Sequence, residues 1–298
     1  MTNIQNDFPE RLAPPLPSPG ARIRLLIDTD AATEIDDLYA VALALVSPER
    51  FYLEGLVATH FSHGGPESIE QTYALLLQLL EVAGMSGCYP VTRGGHPMQY
   101  LGYPSPSAGA DFIIERAYCG TEDNPLWVVG LGAATNIASA LLKDPGIAPR
   151  IRCVYHARSH MSWPERSIQY NVAGDVLAAR TLLLSAVPLV WFDTGTYICA
   201  SMDTTEKHVA STGRLGKFLH DYRYKHPWYM QEDKGFFDLG DIAWLLNPDL
   251  GKMEIVPAPS MGQDMHFDHA QTHGNMLRVY DIDSDGVWDL LFEGLKRK

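Results

Sequence analysis

The stretch Ile27-Asp28-Thr29-Asp30-Ala31-Ala32-Thr33-Glu34-Ile35-Asp36-Asp37 decides how this chain is read. It continues the apolar run Ile23-Arg24-Leu25-Leu26-Ile27, which predicts a buried strand. After it, Leu38, Val41, Ala42, Leu45 and Val46 recur at the spacing of one helical face. Thr33 is the expected N-cap, with Asp36 three residues on as in a capping box. The carboxylates therefore fall at the carboxyl end of a strand and in the first turn of a helix, where open α/β sheets bind ligands. One reading is a solvated acidic helix start, with Asp36 and Asp37 serving only the dipole. The helix N-terminus offsets only about 0.3–1 kcal/mol per charge. With Asp28 and Asp30 added on the strand end, the crowding calls for a hard, oxygen-ligated cation.

Outward from this stretch, strand-like and helical runs alternate. Strands are expected at Phe51–Thr59, Leu126–Val129, Arg152–Tyr155 and Leu189–Phe192, and helices at Glu67–Ala83, Asn136–Leu142 and Asp175–Leu184. This rhythm predicts an α/β fold, with an open, mainly parallel but mixed sheet and helices on both faces. The prolines at 9, 14, 15, 17 and 19 mark residues 1–20 as a Pro-rich arm, expected to be flexible. No composition shift divides residues 21–298, which are expected to form a single domain.

The 298 residues are 46% hydrophobic, enough for a substantial core. A net charge of −13 argues against nucleic-acid or anionic-membrane partners. No apolar run approaches the roughly 20 residues of a membrane span, and no signal-peptide pattern opens the chain. Cys88, Cys119, Cys153 and Cys199 are widely spaced and read as reduced thiols, so a cytoplasmic location is expected.

The acidic stretch resembles the signature of the inosine-uridine type nucleoside hydrolases, calcium-dependent N-ribohydrolases that carry Asp-x-Asp-Pro-Gly-x-Asp-Asp after the first strand. Asp28, Asp30, Asp36 and Asp37 match; the Pro-Gly turn is absent, and the segment Ala31 to Ile35 is two residues longer. Three further segments follow in family order. Val129-Gly130-Leu131-Gly132-Ala133-Ala134-Thr135-Asn136-Ile137-Ala138 is similar to the family's Thr-Gly-Pro-Leu-Thr-Asn-x-Ala segment, with Thr135 as the residue expected to give its carbonyl to calcium. Gln169-Tyr170-Asn171 stands where the family has Glu-Phe-Asn, so Asn171 fits a ribose contact and Gln169 keeps an acceptor without the charge. Asp238, ten residues before Pro248, matches the metal aspartate of the last segment. Phe237 stands where many members have a leaving-group histidine, and Asp241 reads as an exposed helix residue.

The resemblance implies a Rossmann-like nucleoside hydrolase fold and hydrolysis of a ribonucleoside, or related N-riboside, to ribose and free base. It implies one Ca²⁺ held by Asp30, Asp37, Asp238 and Thr135, completed by water and ribose hydroxyls to the roughly 6–8 oxygens calcium takes. Asp30 would deprotonate the attacking water, and Asp36 would bind a ribose hydroxyl. His63 and His160 are the candidate leaving-group acids, His63 and Trp163 candidate contacts to substrate, and a homo-oligomer (dimer or tetramer) is expected.

Other readings are open. Asp28-x-Asp30 could serve a haloacid-dehalogenase-type Mg²⁺ phosphohydrolase, but Ala32 stands where that pattern expects Thr or Val. The missing histidine and Gln169 also suit a non-catalytic, calcium-dependent ribose-binding protein. Gly130-x-Gly132 after a strand weakly suggests a dinucleotide loop, without the acidic residue about 20 positions on. His266, His269 and His273 could share a helical face as zinc ligands, though their polar surroundings favour an exposed segment. Asp281-Ile282-Asp283-Ser284-Asp285-Gly286 starts like an EF-hand but has Phe292 at position 12. It reads as a strand-to-helix turn.

Overall fold

The structure is a computed structural model that describes residues 11–18, 20–158 and 161–297. Strand β1 (Ile23–Thr29) is buried along its whole length, as a strand covered on both faces must be. Side chains alternate across it. Leu25 and Ile27 enter one apolar layer and Leu26 the other, so helices flank both faces.

In chain order the elements are β1, α1 (Asp36–Leu45), β2 (Phe51–Ala58), α2 (Ser68–Val82), β3 (Val91–Arg93), α3 (Ala108–Tyr118), β4 (Leu126–Gly130) and α4 (Thr135–Lys143). Then come β5 (Ile151–His156), α5 (Tyr170–Gly174), α6 (Val176–Leu184), β6 (Leu189–Phe192), α7 (Met202–His208), α8 (Arg214–Tyr222) and α9 (Leu239–Leu246). A hairpin, β7 (Gly251–Met261) and β8 (Phe267–Ile282), and the helix α10 (Ser284–Lys296) end the described chain.

The eight strands form one sheet in the order β3-β2-β1-β4-β5-β6-β8-β7, parallel except for β7 at the edge. The chain runs outward from β1 through β2 to β3, then returns to β4 on β1's other side. The carboxyl ends of β1 and β4 therefore flank a topological switch point, where such sheets open a crevice. Leu131 N donates to the Asp28 carbonyl at 2.8 Å and pins the two ends together.

Several local expectations change. Helix α1 is buried on all sides rather than along one stripe. It starts at Asp36 behind Ile35, without a side-chain cap. Thr33 does not cap it, because its hydroxyl is drawn to the Asp30 carboxylate, 2.7 Å away. The three histidines lie on or beside a strand, not a helix: His269 meets the Pro164 carbonyl at 2.8 Å and His266 faces Asp264 at 3.1 Å. Asp281–Gly286 is a strand-to-helix turn, with Asp283 at the N-cap position of α10.

Residues 11–18 of the Pro-rich arm have no regular structure, yet Arg11 is 1% exposed. Its guanidinium donates to the carbonyls of Leu182, Leu183 and Ser185 at the end of α6. Carbonyls at a helix end lack the ladder partners of the interior, and Leu182 O also accepts the Ser185 hydroxyl at 2.7 Å. Residues 1–10 of the arm lie outside the described residues. All four cysteines are unpaired. No described helix is long and apolar enough to cross a membrane.

Candidate active site

A cleft of about 270 Å³ opens at the switch point, lined by Asp30, Thr33, Glu34, Asp36, Asp37, His63, Leu131, His156, Arg158, Gln169, Tyr170, Asn171, Phe237 and Asp238. Two larger concavities lie elsewhere. One holds Arg22, Arg24 and Arg116, but its buried carboxylate, Glu54, is already neutralised by Arg24 at 2.5 Å. The other, beside Trp288, has no buried acid among its lining residues. The cleft is different, because buried acids converge there with too few cations to offset them.

Asp36 and Asp37 come from the first turn of α1, and Asp238 stands at the N-terminus of α9. Ligand oxygens of all three lie within 4.8 Å of one another. Two helix N-termini thus point their positive ends at one acidic cluster. Thr29 donates its hydroxyl to Asp37. Asp30 receives the Thr33 hydroxyl. The main chain of the loop after β4 presses on Asp30 from the other side: a Cβ at Gly132 would lie 3.0 Å from Asp30 Oδ1.

Burial is the largest cause of every shift in this cluster. It lifts Asp30 to about 7, helped by the charges of Asp36 and Asp28. It holds Asp37 and Asp238 well above the usual carboxylate range, with the charges of Asp30 and Asp36 adding to both and that of Asp37 also raising Asp238. Asp36 Oδ1 accepts no hydrogen bond; its cationic neighbour is Lys234 at 3.5 Å. Buried, mutually repelling, oxygen-only donors with an orphaned acceptor suit a hard divalent cation.

Asp28 is set apart. It faces the layer of α4 and takes hydrogen bonds from Thr59 and, at 3.0 Å, from Asn136, which tie β1, β2 and α4 together. Burial lifts it to about 7. It does not line the cleft.

Asp241 corrects an expectation. It is fully buried, not an exposed helix residue, and its Oδ2 lies 2.7 Å from His156 Nδ1. The same nitrogen is 3.5 Å from Asp238 Oδ1. Burial raises Asp241 to about 6, with His156 opposing the rise. His156 ends β5 and enters the cleft, so Asp241 orients it from behind.

Thr135 also departs from expectation. It does not line the cleft: it opens α4, where its carbonyl belongs to the helical ladder, and its hydroxyl donates to Asp175 at 2.6 Å. Leu131, four residues earlier in the loop that leaves β4, lines the cleft instead. Its carbonyl accepts from Asn171 Nδ2. Gln169 Oε1 is committed to capping α5, accepting from Asn171 N at 2.6 Å and Val172 N at 3.1 Å, so only its amide nitrogen is left for a ligand. His63 lines the cleft with Nδ1 2.8 Å from the Tyr170 hydroxyl. Trp163 is not there: it packs on Phe267 at 5.0 Å with the Arg278 guanidinium 4.8 Å from its ring. His160 lies outside the described residues.

Sequence reasoning missed His156, Arg158, Lys234, Glu34, Tyr170 and the Leu131 carbonyl. Lys234 is fully buried, 2.7 Å from Glu34 Oε2, on the longer acidic segment. His156 had a usable signal, as the first polar residue at the carboxyl end of an apolar strand. Lys234 sits in an irregular stretch and had none.

A parallel sheet with a carboxylate-lined crevice at its switch point describes an α/β enzyme with a candidate metal site. The sequence pattern of the inosine-uridine preferring nucleoside hydrolases matches residues 25–289, and the chain belongs to that family. The non-specific ribonucleoside hydrolase RihC of Shigella flexneri serotype 5b is 28% identical over 254 residues, covering 77% of this chain and 81% of its own length. A plant nucleoside hydrolase superposes with a TM-score of 0.76 at 19% identity, covering 93% of this chain and all of the other. The purine-preferring ribonucleoside hydrolase of Gardnerella vaginalis gives 0.72 at 20% identity, over 92% and 98% of the two chains. At these identities the two structures speak for the fold.

Proposed function

We propose that the chain hydrolyses the N-glycosidic bond of ribonucleosides to ribose and free base with the help of Ca²⁺. The observation that carries this reading is the convergence of Asp30, Asp36, Asp37 and Asp238 in one buried cleft. Asp30, Asp37 and Asp238, with the Leu131 carbonyl, would hold the cation. When bound, calcium would keep these carboxylates ionised and lower the pKa of water in its shell.

The remaining steps belong to the chain's own groups. Asp30 accepts the proton of the attacking water, while the Thr33 hydrogen bond fixes the carboxylate's rotamer. Asp36 and Asn171 bind ribose hydroxyls, and Gln169 contributes its amide nitrogen. Surrounding carboxylates stabilise positive charge developing on the sugar. His63, braced by Tyr170, contacts the base. A phosphohydrolase reading has no support in the family match.

The test is release of free ribose from a panel of purine and pyrimidine nucleosides, with Ca²⁺ and with chelator. Calcium-dependent release is the expected result. Ligand-induced stabilisation without ribose release would identify a binding protein instead. A second expectation concerns Asp241. In the Asp241→Asn variant, His156 loses the charge that orients it, and kcat/KM should fall about 10–100-fold with the fold intact. An unchanged kcat/KM would dissociate His156 from the reaction.

A further inference from the structure

Phe237 leaves the cleft without the expected leaving-group histidine, but it carries something else. The Arg158 guanidinium lies 3.8 Å from the centroid of its ring. The Lys234 ammonium lies 4.6 Å from the same centroid. The ring is held in place by close packing: a Cβ at Gly235 would come 2.0 Å from Phe237 Cε1, and one at Gly195 would come 2.7 Å from the Phe237 carbonyl oxygen. The two cations differ. Lys234 is committed to Glu34 and Asp36. Among the described residues Arg158 forms no ion pair, and it is half-buried on the cleft wall.

The backbone at Arg158 is built for this placement. It lies two residues beyond β5, and both Ala157 N and Arg158 N donate to the Phe192 carbonyl, at 2.8 and 3.1 Å. Its φ is +27°, a region non-glycine residues seldom occupy. Such strain persists where surrounding contacts impose it, most often at functional sites.

We propose that Arg158 is a catalytic residue that holds the departing base, and that the enzyme favours N-ribosides with an exocyclic carbonyl beside the glycosidic nitrogen, uridine being the simplest. This rests on the hydrolase reading above. The C1′–N bond breaks with its electron pair going to the base, which delocalises it onto that carbonyl oxygen. Guanidinium N–H groups donate to the oxygen as its charge grows. The oxygen of water bonds to C1′ and its proton goes to Asp30. The base anion takes a proton from solvent after release. Arg158 does not act as an acid, because a guanidinium keeps its proton in proteins. Bases without a carbonyl at that position, such as adenine, gain little from it.

The experiment compares wild type, Arg158→Ala, Arg158→Lys and His63→Asn on uridine, adenosine and 4-nitrophenyl ribofuranoside, all with calcium. The nitrophenolate leaves without assistance and reports on sugar and water chemistry alone. In Arg158→Ala, uridine turnover should fall about 100-fold, with adenosine and nitrophenyl riboside turnover unchanged. Arg158→Lys keeps the charge but loses the planar fork, so it should recover only part of the loss. Added guanidinium ion should restore uridine turnover in Arg158→Ala. A parallel fall on uridine and nitrophenyl riboside would overturn the proposal, placing Arg158 at the sugar or in the fold. So would uridine turnover that survives Arg158→Ala but is lost in His63→Asn. If wild type releases ribose from none of the three substrates, the hydrolase reading fails and this proposal with it; if it cleaves adenosine but not uridine, only this proposal fails. If wild type cleaves the nitrophenyl riboside and the Arg158 variants match it on uridine, only this proposal fails.

Discussion

Asp30→Asn should lower kcat by about 10³-fold or more at saturating calcium, near the upper range for loss of a general base with its charge. The substitution keeps the shape of the side chain and an oxygen able to accept from Thr33 at 2.7 Å. It removes the proton acceptor and one negative charge. The stability effect should have the opposite sign from the activity effect. Burial and neighbouring acids raise Asp30 to about 7 in the folded chain, against about 3.9 for an unperturbed aspartate. At neutral pH its ionisation therefore favours the unfolded chain. In chelator, Asp30→Asn should melt no lower than wild type, while its calcium affinity drops. Ribose release, a melting curve in chelator and a calcium titration separate the three effects. An inactive variant that also melts several degrees lower in chelator would make Asp30 a structural residue. Near-normal activity at saturating calcium would place the base elsewhere.

The acidic stretch was readable because two periodicities meet there. A fully buried strand and a helix flank Asp28 to Asp37, and the sheet's crossover puts that junction at a switch point. Asp30, Asp36, Asp37, Asp238, Gln169, Asn171 and His63 all reach one cleft. What the sequence hid follows a physical pattern. A main-chain ligand has no side-chain signature, so the pattern points to Thr135 although the residue of that loop lining the cleft is Leu131. Asp241 looked exposed because its partner, His156, arrives from a strand 85 residues away. Trp163 looked available for a base, but its partners are on the hairpin, at Phe267 and Arg278. That hairpin was itself obscure. β7 carries Pro257 and Pro259, which only an edge strand tolerates, and β8 begins in a polar, histidine-rich run. Thr33 was misjudged because a nearby buried carboxylate competes more strongly for its hydroxyl than a helix N-terminus does.

Removing calcium should make stability depend on pH in the direction opposite to ordinary acid denaturation. Asp28 and Asp30 are raised to about 7 and Asp241 to about 6, and Asp37 and Asp238 are also raised. Unfolded, each would titrate near 3.9. Between about pH 4 and 7 the folded chain therefore binds more protons than the unfolded one, and stability must fall as pH rises through that window. Below about 4 both forms are protonated and the penalty vanishes; above about 7 it is fully present for Asp28, Asp30 and Asp241. In chelator, Tm should thus decline from pH 5.5 to 8 by more than about 5 °C, since about 1 kcal/mol moves Tm by about 2–4 °C at a slightly smaller size. A bound cation reverses the sign locally. It stabilises the ionised carboxylates, so the folded chain no longer holds the extra protons at the cation site. Calcium at about 100 times its Kd adds about 2.7 kcal/mol, and its effect on Tm should be larger at pH 8 than at pH 5.5. Asp28 and Asp241 lie outside the proposed ligand set, so part of the decline should persist at saturating calcium. Scanning calorimetry at several pH values, with and without chelator, reads all of this. A Tm in chelator that rises over the same range, or a calcium effect independent of pH, would mean the cluster is already compensated by the protein's own cations, chiefly Lys234.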